Sequence, residues 1–231
     1  SDRGKFIRAI VSYYDNEGYL ETVITPFIGI EIDATPPSAP LITTSTAFTN
    51  DNTPTIEGTS EAGSTVELFT GDTSLGTATA DAATGEFSIT TSVLNDGAYF
   101  LTVTATDTAG NESAASSSLA IEIDTTAPSA PAITTTTTLT NDNTPTIEGT
   151  AEAGSTVELF NGNYSLGTVN ADNDGTFSIT SSALTDGNYS LTVTSTDSSG
   201  NISTASSALN ISVVTNGIYS YAFSNGSDLK T

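Results

Sequence analysis

The side chains with the most capacity for chemistry in this sequence are carboxylates. The 231 residues include 27 Asp and Glu but only 4 Lys and Arg, which gives a formal net charge of −23. The four cations are Arg3, Lys5, Arg8 and Lys230, so residues 9–229 contain no basic side chain. Crowded carboxylates raise one another's pKa, and a divalent cation relieves this repulsion. Carboxylate and amide oxygens are the ligands that calcium prefers, so the composition favours a calcium-binding protein.

The composition also excludes several classes of function. The sequence has no Cys and no His, which removes disulfides, thiolate zinc sites, Cys nucleophiles and the commonest general base. We therefore expect no enzyme. The net charge of −23 argues against nucleic acid and anionic membrane as partners, because both bind through Lys and Arg. No apolar run is long enough to span a bilayer, so we expect no membrane insertion.

Two copies of one repeat fill most of the chain. Thr49–Thr59 recurs unchanged as Thr140–Thr150, and Glu61–Phe69 recurs as Glu152–Phe160. The second copy then lacks one residue in the turn before Gly175. Such periodicity indicates an array of similar domains. It divides the chain into a first domain at 34–123 and a second at 124–214, with flanks at 1–33 and 215–231.

Each repeat has the pattern of short β-strands. Apolar and polar residues alternate with period two in Thr65–Phe69, Phe87–Ile89 and Tyr99–Thr104, and turns rich in Gly, Asn and Asp separate such runs. About seven strands in a repeat of this length predict an immunoglobulin-like β-sandwich. The expected fold class is all-β, with tandem immunoglobulin-like sandwiches in a linear array. Tyr99 and Tyr189 begin the sixth strand of each repeat, either as tyrosine corners or as plain core residues.

The inward-facing positions of these strands predict two hydrophobic cores. The first consists of Ile56, Val66, Leu68, Phe87, Ile89, Leu101 and Val103, and the second of Ile147, Val157, Leu159, Phe177, Ile179, Leu191 and Val193.

A set of motifs recurs in the same order in both repeats. In the second repeat they are Asp124–Pro128, Asn143–Gly154, Asp186-Gly187 and Asp197–Asn201, and the first repeat has the same pattern after its linker Asp33–Pro37. The order of these motifs resembles the bacterial Ig-like repeats of giant secreted adhesins, the RTX-like substrates of type I secretion. The resemblance implies extracellular rods of Gram-negative bacteria, with calcium at domain junctions and no catalytic residues.

Strand reversal places the candidate metal ligands together. In an immunoglobulin-like sandwich, the loops after the second and sixth strands share the end where the chain enters. For the first repeat, this end gathers Asp33, Glu61, Asp107 and Asn111; for the second, it gathers Asp124, Glu152, Asp197 and Asn201. Three carboxylates and an amide, completed by carbonyls and waters, match the ligand number of calcium.

Each of these residues also has a purely structural explanation. An Asp before Gly-Asn commonly accepts hydrogen bonds from its own turn, so Asp107 and Asp197 could act only as turn residues. Glu61 and Glu152 could be solvated, and Asp33 and Asp124 could simply end a strand. The lack of cations around a twice-repeated set of oxygens favours calcium over these explanations.

The flanks differ from the repeats. Residues 1–29 read as two strands joined by a turn and resemble the closing half of a bacterial tandem Ig-like or cadherin-like repeat. Ile218–Ser227 resembles the opening strand and turn of the same repeat type. We hypothesise that the two ends complement each other head to tail, either along one long chain or between copies. The alternative is that the sequence simply begins and ends at arbitrary points.

These observations predict a structural function. The expected protein is a spacer of an extracellular bacterial adhesin or filament at the cell surface, stiffened by calcium at domain junctions. Its partners would be neighbouring Ig-like domains or further copies of itself, with glycans bound by domains outside this chain. The alternative function is a carbohydrate-binding β-sandwich module, for which Tyr164 in a turn of the second repeat is the candidate aromatic residue.

Overall fold

The computed structural model describes residues 5–7, 9–25, 28–30 and 33–215. The chain divides into two compact units. In these described ranges, no helix is long and apolar enough to cross a membrane. The flank predicted at 215–231 lies, beyond Thr215, outside the described residues.

The N-terminal flank forms antiparallel β-ribbons. Its strands are β1 (Lys5–Ile7), β2 (Ile10–Tyr14), β3 (Leu20–Ile24) and β4 (Ile28–Ile30). Strand β1 pairs with β4, and β2 pairs with β3 in a register that places Ile10 opposite Ile24. The turn between β2 and β3 forms because Asp15 Oδ1 accepts the backbone N–H groups of Glu17 and Tyr19, at 2.9 and 2.8 Å. The predicted pair of strands joined by a turn is therefore confirmed.

The first repeat folds into a two-sheet sandwich. Its strands are β5 (Leu41–Ile42), β6 (Phe48–Thr49), β7 (Thr55–Thr59), β8 (Thr65–Thr70), β9 (Thr73–Thr79), β10 (Glu86–Thr90), β11 (Gly97–Thr106) and β12 (Leu119–Ile123). One sheet has the order β10-β7-β5 and the other the order β6-β12-β11-β8-β9.

The second repeat has the same architecture. Its strands are β13 (Ala132–Ile133), β14 (Leu139–Thr140), β15 (Thr146–Thr150), β16 (Thr156–Asn161), β17 (Tyr164–Asn170), β18 (Thr176–Thr180), β19 (Gly187–Thr196) and β20 (Leu209–Val213). The sheets have the orders β13-β15-β18 and β14-β20-β19-β16-β17. This arrangement is an immunoglobulin-like sandwich, and the predicted all-β fold class is confirmed.

Each sandwich is closed along one side because its first strand is split between the sheets. In the first repeat, β5 pairs antiparallel with β7 and β6 pairs parallel with β12. In the second repeat, β13 pairs antiparallel with β15, and β14 pairs parallel with β20. The Thr-rich segment between the two short strands makes the crossing from one sheet to the other.

The cores occupy the positions that alternation predicts. All fourteen predicted core residues are buried, and each is at most 4% exposed. Phe177 packs against Gly149 of the neighbouring strand, where a Cβ atom would collide with its ring and with the Ala132 carbonyl. The identical Gly in both Thr-Ile-Glu-Gly-Thr motifs therefore provides space for the core phenylalanine.

A tyrosine corner is present in the second repeat. The Tyr189 hydroxyl donates to the carbonyl of Thr185 at 2.8 Å, across the turn that precedes β19. This bond fixes the connection between the two sheets at the end where the chain leaves the sandwich.

The strand register brings together the loops that the topology predicted. Thr65 pairs with Thr106, so the loop before β8 lies beside the loop after β11. Leu41 pairs with Thr59, so the entering chain lies at the same end of the sandwich.

Candidate metal centre

The loop after β19 is organised around one carboxylate. Asp197 Oδ1 accepts the backbone N–H groups of Ser199 and Asn201, both at 2.9 Å. The Asp197 N–H donates to the Asn201 carbonyl at 3.1 Å, and Gly200 takes the positive φ of 93° that this tight turn requires. The Asp-Ser-Ser-Gly-Asn motif is thus a self-contained turn, as the structural explanation of Asp197 predicted.

The other oxygen of this carboxylate meets an asparagine side chain. The Asn201 amide nitrogen donates to Asp197 Oδ2 and to the Asp124 carbonyl, both at 2.8 Å. Asn201 is only 8% exposed. We call these three residues the Asn201 cluster. It joins the chain entering the second repeat to the loop after β19.

The first repeat contains an equivalent Asn111 cluster. The Asn111 amide nitrogen donates to Asp107 Oδ2 at 2.8 Å and to the Asp33 carbonyl at 3.2 Å. Asp107 Oδ1 accepts the N–H groups of Ala109 and Asn111, at 2.8 and 2.9 Å. The structure therefore brings together three of the four residues in each predicted set.

The side chains of the linker aspartates face their own turns. Asp33 Oδ1 accepts the Thr35 N–H at 3.0 Å, and Asp124 Oδ1 accepts the Thr126 N–H at 2.9 Å. These residues reach the clusters through their backbone carbonyls instead. The sequence analysis expected their side-chain carboxylates at these positions, whereas their backbone carbonyls accept the asparagine amides.

The predicted glutamates remain exposed. Glu61 and Glu152 lie in the loops before β8 and β16. There, their backbone carbonyls accept hydrogen bonds from the backbone N–H and hydroxyl groups of Ser64 and Ser155, respectively. Within the described ranges, no three acidic side chains form a group that could hold a metal ion. Calcium binding at these residues therefore stays a prediction.

Hydrogen bonding stabilises the ionised form of the loop aspartates. The Asn111 side chain and backbone lower the pKa of Asp107 below its usual 3.8. Partial burial raises the pKa of Asp197, but hydrogen bonds from Asn201, Ser199 and Gly200 outweigh this effect and lower it overall. Each cluster therefore keeps its negative charge at neutral pH.

A second acidic position was missed by sequence reasoning. Asp96 lies before β11, where its Oδ1 accepts the N–H and hydroxyl of Thr125 at 3.1 and 2.8 Å, and its Oδ2 accepts the Thr126 hydroxyl at 3.0 Å. In the second repeat, Asp186 Oδ1 accepts the N–H and hydroxyl of Thr215 at 2.9 and 2.6 Å. The sequence does contain a signal for this contact. Both repeats have an Asp-Gly pair at the start of the sixth strand and a Thr after the last strand.

Each cluster places two oxygen atoms around one hydrogen-bond donor, the side-chain amide nitrogen of the asparagine. An Asp carboxylate oxygen and a linker carbonyl both accept hydrogen bonds from a single amide nitrogen. An Asn side chain can turn about its last bond to exchange nitrogen for oxygen. The same three groups would then offer three oxygens, and calcium would take waters for the remaining positions.

The fold and the repeated entry clusters define a protein built from tandem immunoglobulin-like modules. The bacterial Ig-like domain family matches residues 36–125 and again 127–215. The chain belongs to this family, and the resemblance drawn from its motifs is confirmed.

Solved structures give further similarities. A biofilm associated protein, in its BSP domain, is 25% identical over 78% of this chain and 30% of that chain, with a TM-score of 0.31. The fibronectin(III)-like modules of Clostridium thermocellum CbhA are 19% identical over 75% of this chain and 93% of theirs, with a TM-score of 0.50. The chain thus spans less than a third of the first of these structures, and the second similarity concerns the fold alone. No curated protein matches the chain.

Proposed function

We propose that this chain is a spacer segment of an extracellular bacterial surface protein, in which consecutive sandwiches hold a binding domain away from the cell or build a filament. The observation that carries the proposal is the tandem pair of bacterial Ig-like domains, each with its entering chain hydrogen-bonded to the loop after its sixth strand. Modules of this kind are typically structural rather than catalytic. A spacer needs fixed connections between modules more than it needs a cleft.

Calcium would act on these connections. In the proposed calcium-bound state, Asn201 turns its amide oxygen inward, and the ion takes the place that the amide nitrogen now holds between Asp197 and the Asp124 carbonyl. Glu152, in a loop at the same end of the sandwich, would add a carboxylate directly or through water. The absence of any Lys or Arg from residues 33–215 supports this proposal, because no side-chain cation there competes for the acidic oxygens.

The test is thermal unfolding together with small-angle X-ray scattering, in EDTA and at about 10 mM calcium. Extracellular modules bind calcium with a Kd of about 0.1–1 mM. Each occupied site should then add about 1.4–2.7 kcal/mol to the free energy of unfolding. We expect a rise of several degrees in the midpoint and a longer, narrower distribution of interatomic distances.

Two variants locate the effect. Glu152→Gln should weaken the calcium response of the second repeat, because it removes one proposed ligand. Glu148→Gln removes the same charge from the exposed side of β15 and should leave the response unchanged. If calcium alters neither the midpoint nor the scattering profile of the parent chain, the carboxylates are only solvated, and the spacer depends on its linkers alone.

Head-to-tail assembly is a further part of the proposal. Strand addition between Ile218–Phe223 and residues 1–29 of another copy would join neighbouring copies. The apolar side chains of Ile10, Val11, Val23 and Ile24 on the β2–β3 ribbon are all more than half exposed, which supports pairing or packing with additional strands. The same scattering series, recorded over a range of protein concentrations, should show the average mass rising with concentration. A constant monomer mass at all concentrations would contradict assembly between separate copies.

A further inference from the structure

The β2–β3 ribbon presents apolar side chains on both of its faces. Successive residues of a strand point to opposite faces, so Ile10 and Tyr14 lie on one face of β2 and Val11 and Tyr13 on the other. All four are more than half exposed, and Tyr14 is 73% exposed. The apolar residues opposite them on β3 are exposed to a similar extent: Leu20, Val23 and Ile24. A continuous exposed apolar surface of this kind marks an interaction site.

The outer edge of β2 can accept a further strand. The Asp15 N–H donates to the Tyr19 carbonyl at 3.0 Å, and hydrogen-bonded pairs alternate with non-hydrogen-bonded pairs along an antiparallel ladder. Ile10, Ser12 and Tyr14 are therefore non-hydrogen-bonded positions, and their N–H and C=O groups point away from β3. Within the described ranges, β3 is the one strand that pairs with β2. Unpaired backbone groups in a row are a template for strand pairing.

The two edges of the ribbon differ in how they are protected. Strand β2 has the sequence Ile-Val-Ser-Tyr-Tyr, with no carboxylate, Lys, Arg, Gly or Pro, whereas β3 contains Glu21 and is soon followed by Pro26. Charged residues and Pro are common protections of edge strands. If two copies of β3 paired about Thr22, their two Glu21 carboxylates would be diagonal neighbours about 7–8 Å apart. The unprotected edge is therefore that of β2.

A second copy of β2 fits this edge. Antiparallel pairing about Ser12 places Ile10 opposite Tyr14 of the second copy, and Val11 opposite Tyr13 of the second copy. Both faces of the resulting four-stranded sheet then pair β-branched residues with aromatic ones, which is a favourable cross-strand combination. This register uses all three outward positions of each β2, whereas a shift by two residues would retain only two of the three hydrogen-bonded pairs within the strand.

The charge distribution favours a second copy in this orientation. Lys5 and Arg8 precede β2 in the sequence, and Asp15 and Glu17 follow it. Antiparallel strands bring the start of one β2 beside the end of the other, so the basic segment of each copy meets the acidic segment of its partner. Parallel strands would bring like charges together.

The remainder of the chain has no comparable surface for a second copy. Residues 1–30 contain three Lys or Arg and four Asp or Glu, whereas residues 33–215 contain 21 Asp and Glu and no Lys or Arg. Like-charge repulsion between two copies is therefore weakest at the ribbon.

We propose that two copies of this chain associate through antiparallel pairing of their β2 strands about Ser12. Because both copies contribute the same edge, the contact is closed and stops at a dimer. Strand β3 forms the outside of the four-stranded sheet, where the tail segment Ile218–Phe223 of the proposed head-to-tail assembly can still add. The spacer function proposed for the two sandwiches does not depend on this dimer.

Proline substitutions at one cross-strand pair distinguish the two edges. Ser12 and Thr22 lie opposite each other at a non-hydrogen-bonded position, so each has an outward N–H group. Ser12→Pro removes the central donor from the β2 edge, and Thr22→Pro makes the matched change on β3. Sedimentation velocity over a range of concentrations measures the dimer dissociation constant. We expect Ser12→Pro to raise it by about tenfold or more and Thr22→Pro to leave it near the parent value.

Cysteine variants test the register without changing the backbone. The sequence has no Cys, so a disulfide in a single-Cys variant must join two copies. The two Ser12 Cα atoms would lie about 5.5 Å apart, a separation that a disulfide can span. In a glutathione buffer, Ser12→Cys should crosslink about tenfold faster or more than Thr22→Cys, because pairing raises the effective thiol concentration. Adding Tyr221→Pro in the tail should leave the Ser12→Cys rate unchanged.

Several results would overturn the proposal. These are a parent chain that stays monomeric at every concentration, association weakened by Thr22→Pro but not by Ser12→Pro, and equal crosslinking of the two cysteine variants. Loss of crosslinking on adding Tyr221→Pro would identify the tail as the strand that covers β2. Growth beyond a dimer that Ser12→Pro leaves unchanged would contradict the twofold contact while supporting head-to-tail assembly. The calcium response does not involve the ribbon, so the two proposals can fail separately.

Discussion

The side-chain amide of Asn201 donates to Asp197 Oδ2 at 2.8 Å and holds that oxygen next to the carbonyl of the entering chain. The amide carries no net charge, yet it occupies the position between two oxygens that a cation would take. The two oxygens at the entrance of the sandwich therefore share one hydrogen-bond donor. The calcium ion proposed above would replace these two hydrogen bonds.

The first prediction concerns this amide. Asn201→Ala should lower the free energy of unfolding of the second repeat by about 1–3 kcal/mol, because it leaves Asp197 Oδ2 and the Asp124 carbonyl without their shared donor. Urea unfolding measures the change. Asn173→Ala, in the exposed turn between β17 and β18, is the control and should change stability by less than about 0.5 kcal/mol. Equal effects of the two substitutions would show that the cluster contributes little.

The second prediction uses the carboxylate of Asp96, which precedes β11. Hydrogen bonds from the Thr125 side chain, the Thr125 backbone and the Thr126 side chain lower the pKa of Asp96 below 3.8. The folded state thus favours ionised Asp96, and the resulting stability is full above the unfolded pKa and is lost as the pH falls through the folded pKa. The difference in melting temperature between the parent chain and Asp96→Asn should be largest near neutral pH and should shrink below about pH 3.8.

Glu57→Gln gives the control for this measurement. It removes one negative charge from the exposed side of β7 without touching Thr125 or Thr126, and it therefore reports the general relief of like-charge repulsion. A melting-temperature difference for Asp96→Asn that follows the same pH dependence as Glu57→Gln would contradict a specific role for the Asp96 hydrogen bonds.

Much of the fold could be predicted from sequence because its determinants are local and repeated. Alternation in Thr-Val-Glu-Leu-Phe assigned Val66 and Leu68 to the core, and both are fully buried. The end of the sandwich at which each loop lies then followed from the known immunoglobulin connectivity, which placed Asp107 and Asn111 beside the entering chain. Patterns of period two are reliable when one face of each strand is buried.

The atoms used at the candidate site were harder to predict. Sequence gives the residue type but not the rotamer, so the side chains of Asp33 and Asp124 were expected at the clusters where their carbonyls lie instead. The acceptor role of Asp96 was missed because its donor is Thr125. Thr125 is far from Asp96 in the sequence and follows the last strand of the repeat.

The last prediction uses the two repeats as references for each other. Ser195 is 0% exposed, and its hydroxyl has no hydrogen-bond partner among the residues that the structure describes. The first repeat carries Ala105 at the same place, also 0% exposed. Burying a hydroxyl without a partner costs about 1–3 kcal/mol by protein mutational data. Ser195→Ala should therefore stabilise the second repeat by about 1 kcal/mol or more, with no loss of packing because only the oxygen is removed.

The reverse substitution completes this experiment. Ala105→Ser should destabilise the first repeat by a similar amount, because it inserts a hydroxyl into an equivalent apolar site between β11 and β8. Differential scanning calorimetry of the parent chain and both variants measures the two effects, and the double variant should show them as nearly additive since the sites are in separate cores. A stable Ala105→Ser variant, or a destabilised Ser195→Ala variant, would mean that the Ser195 hydroxyl finds a partner in solution, such as a buried water.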